Sequence, residues 1–223
     1  MAVAILLAVL AGVAKEHKHD IDQAGPVMST RQMEKGPHLE MTMLRTPRPG
    51  DRQRAAAVLA AARQVMAQFR DYRAAARAGY HIFLPNVPQK IYHFTNYWNG
   101  FEARFRFDPQ RPTSLLYEKN GEQFTLVGVM YTAAQDASAD ELDARVPLSV
   151  ARWHEHVNFC MPPGGQREEM LTPHARFGLA GSIATPEECK RAGGIFHPRV
   201  FGWMVHIYAD GDRPEAIWST GQH

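Results

Sequence analysis

Cysteine is nearly absent from this chain. Only Cys160 and Cys189 occur in 223 residues, and neither belongs to a CxxC or CxxCH pattern, which excludes thioredoxin-like exchange and covalent haem attachment. Charge of one sign is lacking too. Lys and Arg number 25 against 23 Asp and Glu, for a net charge of +2. The arginines are spread along the chain instead of forming a stripe, so nothing points to nucleic acid. No apolar run reaches the roughly 20 residues that span a bilayer. Several catalytic motifs are missing. In Gly178-Leu179-Ala180-Gly181-Ser182 the serine follows the glycine pair, which is not a nucleophile elbow. Pro163-Gly164-Gly165-Gln166 has no phosphate-loop lysine, and the His154-Glu155-His156 spacing is not that of a zincin helix.

What is present begins with an uncharged segment, residues 1–14 (MAVAILLAVLAGVA), which matches the apolar part of a secretory signal although the usual basic lead is missing. Its alternative is an apolar helix packed on the domain. An exported chain meets an oxidising compartment, where Cys160 and Cys189, 29 residues apart, are most simply a disulfide. Closing a loop of that size stabilises by about 3 kcal/mol on the chain-entropy model. The competing use of Cys160 is as a metal ligand.

Residues 15–50 read as an irregular arm punctuated by Gly25-Pro26, Gly36-Pro37 and Pro47-Arg48-Pro49-Gly50. The arm carries His17, His19, His38, Met28, Met33, Met41 and Met43, a mixture whose imidazoles and thioethers suit copper, or it is a solvated leader. From 51 to 78, Val58, Ala62, Val65, Met66, Phe69, Tyr72 and Ala76 recur at helical spacing, with Asp51 as N-cap and Gly79 as stop. Strands are expected over 91–97, 101–107, 114–118, 124–131 and 200–208, with a hairpin at Asn120-Gly121. Residues 133–143 form a loop or short helix. Thr185-Pro186-Glu187-Glu188 is a capping box that opens a helix carrying Cys189.

Eleven histidines and ten methionines make metal chemistry the leading theme. If Trp153-His154-Glu155-His156-Val157-Asn158 is extended, His154 and His156 project from one face of a strand. Two imidazoles so placed can hold one ion at about 2.0–2.1 Å. On a helix they would diverge. Along 200–208, Phe201, Trp203, Val205 and Ile207 form one apolar face, and His206 lies on the other with Met204 and Tyr208. His206 is therefore a third ligand or a half-exposed sheet residue. His93 shares a face with Ile91, Thr95 and Tyr97. Glu118 ends an apolar strand as a carboxylate ligand, as a hydrogen-bond acceptor for a ligating imidazole, or as an exposed strand end. Two or three histidines plus Glu118 or His93 leave an open position suited to copper, iron or zinc. Tyr92, Trp98, Tyr131, Trp153 and Trp203 line a pocket or belong to the core.

The phrases Phe83-Leu84-Pro85-Asn86-Val87-Pro88-Gln89, Tyr92-His93-Phe94-Thr95-Asn96, Pro112-Thr113-Ser114-Leu115-Leu116-Tyr117-Glu118, Trp153-His154-Glu155-His156-Val157-Asn158 and Gly202-Trp203-Met204-Val205-His206 resemble those of a group of uncharacterised bacterial secreted proteins over roughly residues 50–220. The resemblance implies that His93, Glu118, His154, His156 and His206 serve one site, and it implies no activity.

The expectation is an α+β fold: an antiparallel sheet or small cupin-like barrel with one long N-terminal helix outside. Residues 1–14 are signal-like, 15–50 an arm, and 51–223 a single metal-binding domain. The expected function is that of a periplasmic or secreted metalloprotein holding one transition-metal ion (copper, iron or zinc). Its use is as an oxidoreductase on a small molecule or glycan, or as a non-enzymatic copper or zinc carrier or sensor. Its partners would be a small-molecule substrate or metal donor, with no nucleic acid and no stable membrane span.

Overall fold

The computed structural model describes residues 32–33, 37–87, 89–170, 172 and 174–220. The signal-like segment and the histidines at 17 and 19 lie outside the described residues. Eight strands form one antiparallel sheet: β1 (Gln32–Met33), β2 (Leu39–Met41), β3 (His81–Ile82), β4 (Ile91–Thr95), β5 (Ser114–Asn120), β6 (Gln123–Thr132), β7 (His154–Met161) and β8 (Ile195–Ile207). Their order is β1-β2-β7-β8-β6-β5-β4-β3. The sheet stays open, with β1 and β3 as its edges, so the expected barrel closure is not observed.

The helix expected over 51–78 is two helices. The first, α1 (Asp51–Gln68), buries Ala55, Val58, Ala61, Ala62, Val65 and Met66 on one stripe. It stops where the Tyr117 hydroxyl takes the Phe69 carbonyl. A second helix, α2 (Tyr72–Arg77), then starts on its own cap, the Asp71 carboxylate accepting from Arg73 N at 3.0 Å. Local capping outweighs the apolar period that runs through both. Gly50, with φ 86°, occupies the cap of α1 in place of Asp51. One sheet face packs against α1. Val58, Ala62, Val65 and Met66 share a core with Leu115, Tyr117, Val129, Tyr131, Trp153, Trp203, Val205 and Ile207.

A strand over 101–107 is not formed. Asn96 caps α3 (Tyr97–Glu102) by accepting from Asn99 N at 3.0 Å. Buried Asn99 then donates to the carbonyl of Pro112 and to the Tyr80 hydroxyl. The alternation of Phe101, Phe105 and Phe107 is a helix and a turn, with Trp98 stacked on Phe101 and both exposed. Three other short helices are α4 (Ala139–Arg145), capped by the Ser138–Glu141 box, α5 (Pro186–Arg191), capped by Thr185, and α6 (Pro214–Ile217). No helix among the described residues is long and apolar enough to cross a membrane.

The stretch read as an irregular arm contributes β2. Thr42 N donates to Trp153 O at 2.8 Å. Arg45, almost fully buried, reaches Asp51 at 2.6 Å and Asp143 at 2.7 Å, each through two nitrogens. These bonds hold the Asp51 carboxyl far below its ordinary range. Burial alone would raise Asp143, but the bonds from Arg45 and from Leu148 N leave it lowered as well. Cys160 and Cys189 form the expected disulfide, joining β7 to α5.

Candidate metal site on the inner face of the sheet

The sheet face turned away from α1 gathers the histidines. Alternation puts Phe94, Leu115, Val129, Trp203, Val205 and Ile207 in the main core. The residues between them fall on the other face, where Leu116, Met130 and Met204 form a small apolar floor. Here the rings of His93 and His206 have centroids 5.6 Å apart, although β4 and β8 are three places apart in the sheet. Adjacent strands lie about 4.8 Å apart, so a flat sheet would hold these rings on the order of 14 Å from each other. The sheet is therefore strongly curled and this face is concave. A second contact agrees: Phe83, just past β3, meets Phe201 of β8 edge-to-face at 5.5 Å.

Gly128 allows the floor to close. It pairs with Leu116, and a Cβ there would lie 2.6 Å from the Ile207 carbonyl and 3.1 Å from Tyr208 Cδ1.

Four histidines form a row across the concavity. His93 is followed by His206 at 5.6 Å, His206 by His154 at 4.9 Å, and His154 by His156 at 6.1 Å. Two imidazoles sharing one ion through nitrogens at about 2.0–2.1 Å place their centroids roughly 4.5–6 Å apart. His154 and His206 are buried, and His93 and His156 are half-buried. The extended reading of 154–156 is the observed one, but a register shift falls between those residues, and among the described residues the ring of His206 lies nearer His154 than that of His156 does. Among the described residues, no three side chains drawn from His, Cys, Asp and Glu are grouped as a metal ion would need. The histidines form successive pairs, not a converging triad.

The orientation of His206 is set by the chain far downstream. Its Nδ1 lies 2.9 Å from the Thr220 carbonyl, which can only accept, so Nδ1 carries a proton and donates it there. That arrangement is the one a metal-binding imidazole adopts when its other nitrogen is held by a carbonyl. Thr220 is brought there by the turn into α6, where Tyr208 N donates to Ile217 O at 2.8 Å.

Glu118 lies on β5, two residues before its end. It is exposed near the β5–β6 hairpin, opposite Ile91. Its charge is felt by Tyr208, whose hydroxyl is pushed up to about 12, by burial first and by Glu118 second. The Tyr208 ring lies 6.2 Å from that of His206. Glu155, between the two strand histidines, is fully buried and reaches Arg199 at 3.5 Å. His38 is structural: its Nε2 donates to the Gly181 carbonyl at 2.7 Å.

Three features of the site were not read from the sequence: Met130, the Thr220 carbonyl and the aromatic rim. Met130 is the cross-strand partner of His206. The rim, Phe83 and Phe201, has a strained backbone: Phe201 sits at φ 71°, and Leu84 beside Phe83 at φ 52°. Phe201 was assigned to the apolar face by alternation. Instead it is 56% exposed, because Gly202 at φ 92° opens a bulge that breaks the period. Of the aromatic candidates, Trp153, Trp203 and Tyr131 are core, Tyr92 packs beside the core, and Trp98 is exposed.

Comparison of the chain with family models, with curated proteins and with solved structures finds no match.

Proposed function

We propose that this protein is an exported transition-metal-binding protein whose ion sits in the curl of the sheet between His154 and His206. The observation that carries the reading is the 4.9 Å separation of these two buried rings, the closest step in the row. The Cys160–Cys189 bridge is compatible with an oxidising compartment. Four of the five recurring phrases of the resembling bacterial secreted group carry a residue of the row or Glu118, which accords with one shared site.

The row supports metal handling as the use of that ion. Half-buried His93 and His156 flank the buried pair, so an ion entering from either side meets two-ligand stations in succession. A second reading, a copper or iron oxidoreductase acting on a small molecule, is favoured by Tyr208, whose ring lies 6.2 Å from that of His206 and would stand beside a redox metal held there.

Elemental analysis of protein purified from the export compartment tests the proposal. The expected result is about one equivalent of a transition metal per chain, retained on gel filtration. His206→Ala should lower metal affinity by more than about a hundredfold, beyond the roughly 10- to 100-fold loss typical of removing a supporting hydrogen bond. His156→Ala, at a half-buried position, gives a smaller loss in a variant that folds safely, and His174→Ala gives none. A folded wild-type protein that stays metal-free after incubation with copper, zinc and iron salts would overturn the reading.

A further inference from the structure

Resting on that reading, we infer that the ion is monovalent copper and that methionine thioethers complete its coordination. Strand pairing places Met41 of β2 and Met204 of β8 opposite His154, one on each side. Cross-strand partners share a sheet face and hold their Cβ atoms about 4.5–5.5 Å apart. Met204 also stands two residues before His206 on the same face. Met130 is the cross-strand partner of His206. Three buried methionines thus share a sheet face with the two closest imidazoles: Met41 is fully inaccessible, and Met130 and Met204 are each 6% exposed.

The composition of this pocket selects the ion. Both cysteines are consumed in the disulfide, so no thiolate is available. Glu118, the expected carboxylate, is exposed on β5. Among the described residues no set of three nitrogen, carboxylate or thiolate ligands is grouped for a metal. A divalent ion such as zinc draws on those donors, and the described residues offer it imidazoles in successive pairs instead of a converging set. Imidazole together with thioether is a soft set, and soft ligands select Cu(I) over harder divalent ions. Met41 comes from the stretch ahead of α1, so that segment would supply a ligand from within the sheet.

An anaerobic competition titration with a chromophoric Cu(I) chelator, run alongside a Zn(II) titration, tests this on the full chain. Wild type, Met204→Leu, Met41→Leu and the double variant are compared. Leucine is close to methionine in volume, so the variants keep the core filled, and thermal melts verify folding. The expected result is preferential Cu(I) binding, weakened at least about tenfold by Met204→Leu and further in the double variant, with Zn(II) affinity unmoved. X-ray absorption of the copper-loaded protein should show sulfur scatterers that the double variant loses. Cu(I) binding indifferent to both substitutions, or Zn(II) bound more tightly than Cu(I), overturns the thioether assignment and leaves a histidine metal site standing. Failure of the folded protein to bind either ion overturns both proposals.

Discussion

His206 shows how far a single residue can be read from a chain alone. Alternation along 200–208 places it correctly, on the face opposite Trp203 and Val205, but its tautomer depends on a carbonyl 14 residues downstream that no local pattern announces. His154 and His156 were legible as a pair, and the partner that matters most to His154 lies on another strand. Gly202 makes the same point through backbone. Its φ of 92° and the 2.6 Å approach of the Ala133 carbonyl to the site of a Cβ leave no room for a side chain. Gly202→Ala should therefore destabilise by about 3 kcal/mol, from left-handed strain together with a clash against backbone. Urea unfolding followed by circular dichroism measures it. A loss under about 0.5 kcal/mol, the range of an ordinary surface change, would mean the bulge relaxes freely.

Among elements, those defined by local chemistry were readable and those decided by competition were not. The hairpin at Asn120-Gly121, the Thr185 capping box and the 154–161 strand follow from short-range signals. The helix break at Phe69 and the helical conformation of 97–102 follow from Asp71 and Asn96 acting as caps where the apolar period suggested otherwise. The join between β2, α1 and α4 is ionic, so it carries a pH signature. Asp51 and Asp143 have lowered carboxyls in the folded state, which makes their stabilisation complete above the ordinary aspartate range of about 4 and progressively lost as pH falls below it. Acid titration of the melting temperature should show a decline beginning near pH 4 that is shallower in the Asp143→Asn variant. That variant also leaves buried Arg45 with half its partners and should cost about 3 kcal/mol at neutral pH. A wild-type melting temperature flat from pH 6 to about 2 would contradict the assignment.

For the whole molecule, the α+β class and the antiparallel sheet were accessible from strand-length apolar runs and turn residues. The degree of curl was not. Curvature arises from bulges at Leu116/Tyr117 and around Gly202 and from the bare backbone of Gly128, and it is the curl that brings histidines from β4, β7 and β8 together. The disulfide is the other long-range constraint and was foreseeable from two cysteines in a chain read as exported. It anchors the outer end of β7, where Phe177 and Ile183 complete a small separate core. Replacing Cys160 and Cys189 together by alanine should lower stability by about 3 kcal/mol, from restored loop entropy and the lost packing of both sulfurs. Thiol labelling of the native protein should find no reactive cysteine, and a matching unfolding midpoint in the double variant would show that the bridge adds nothing.

The bond from His206 to the Thr220 carbonyl joins the centre of the sheet to the segment that follows α6. A cut in the backbone between α6 and Thr220 would leave the strands intact and release the imidazole to exchange its proton between nitrogens. Such a nick would thus alter this histidine without unfolding the sheet, and two preparations with the same melting curve could differ in its chemistry.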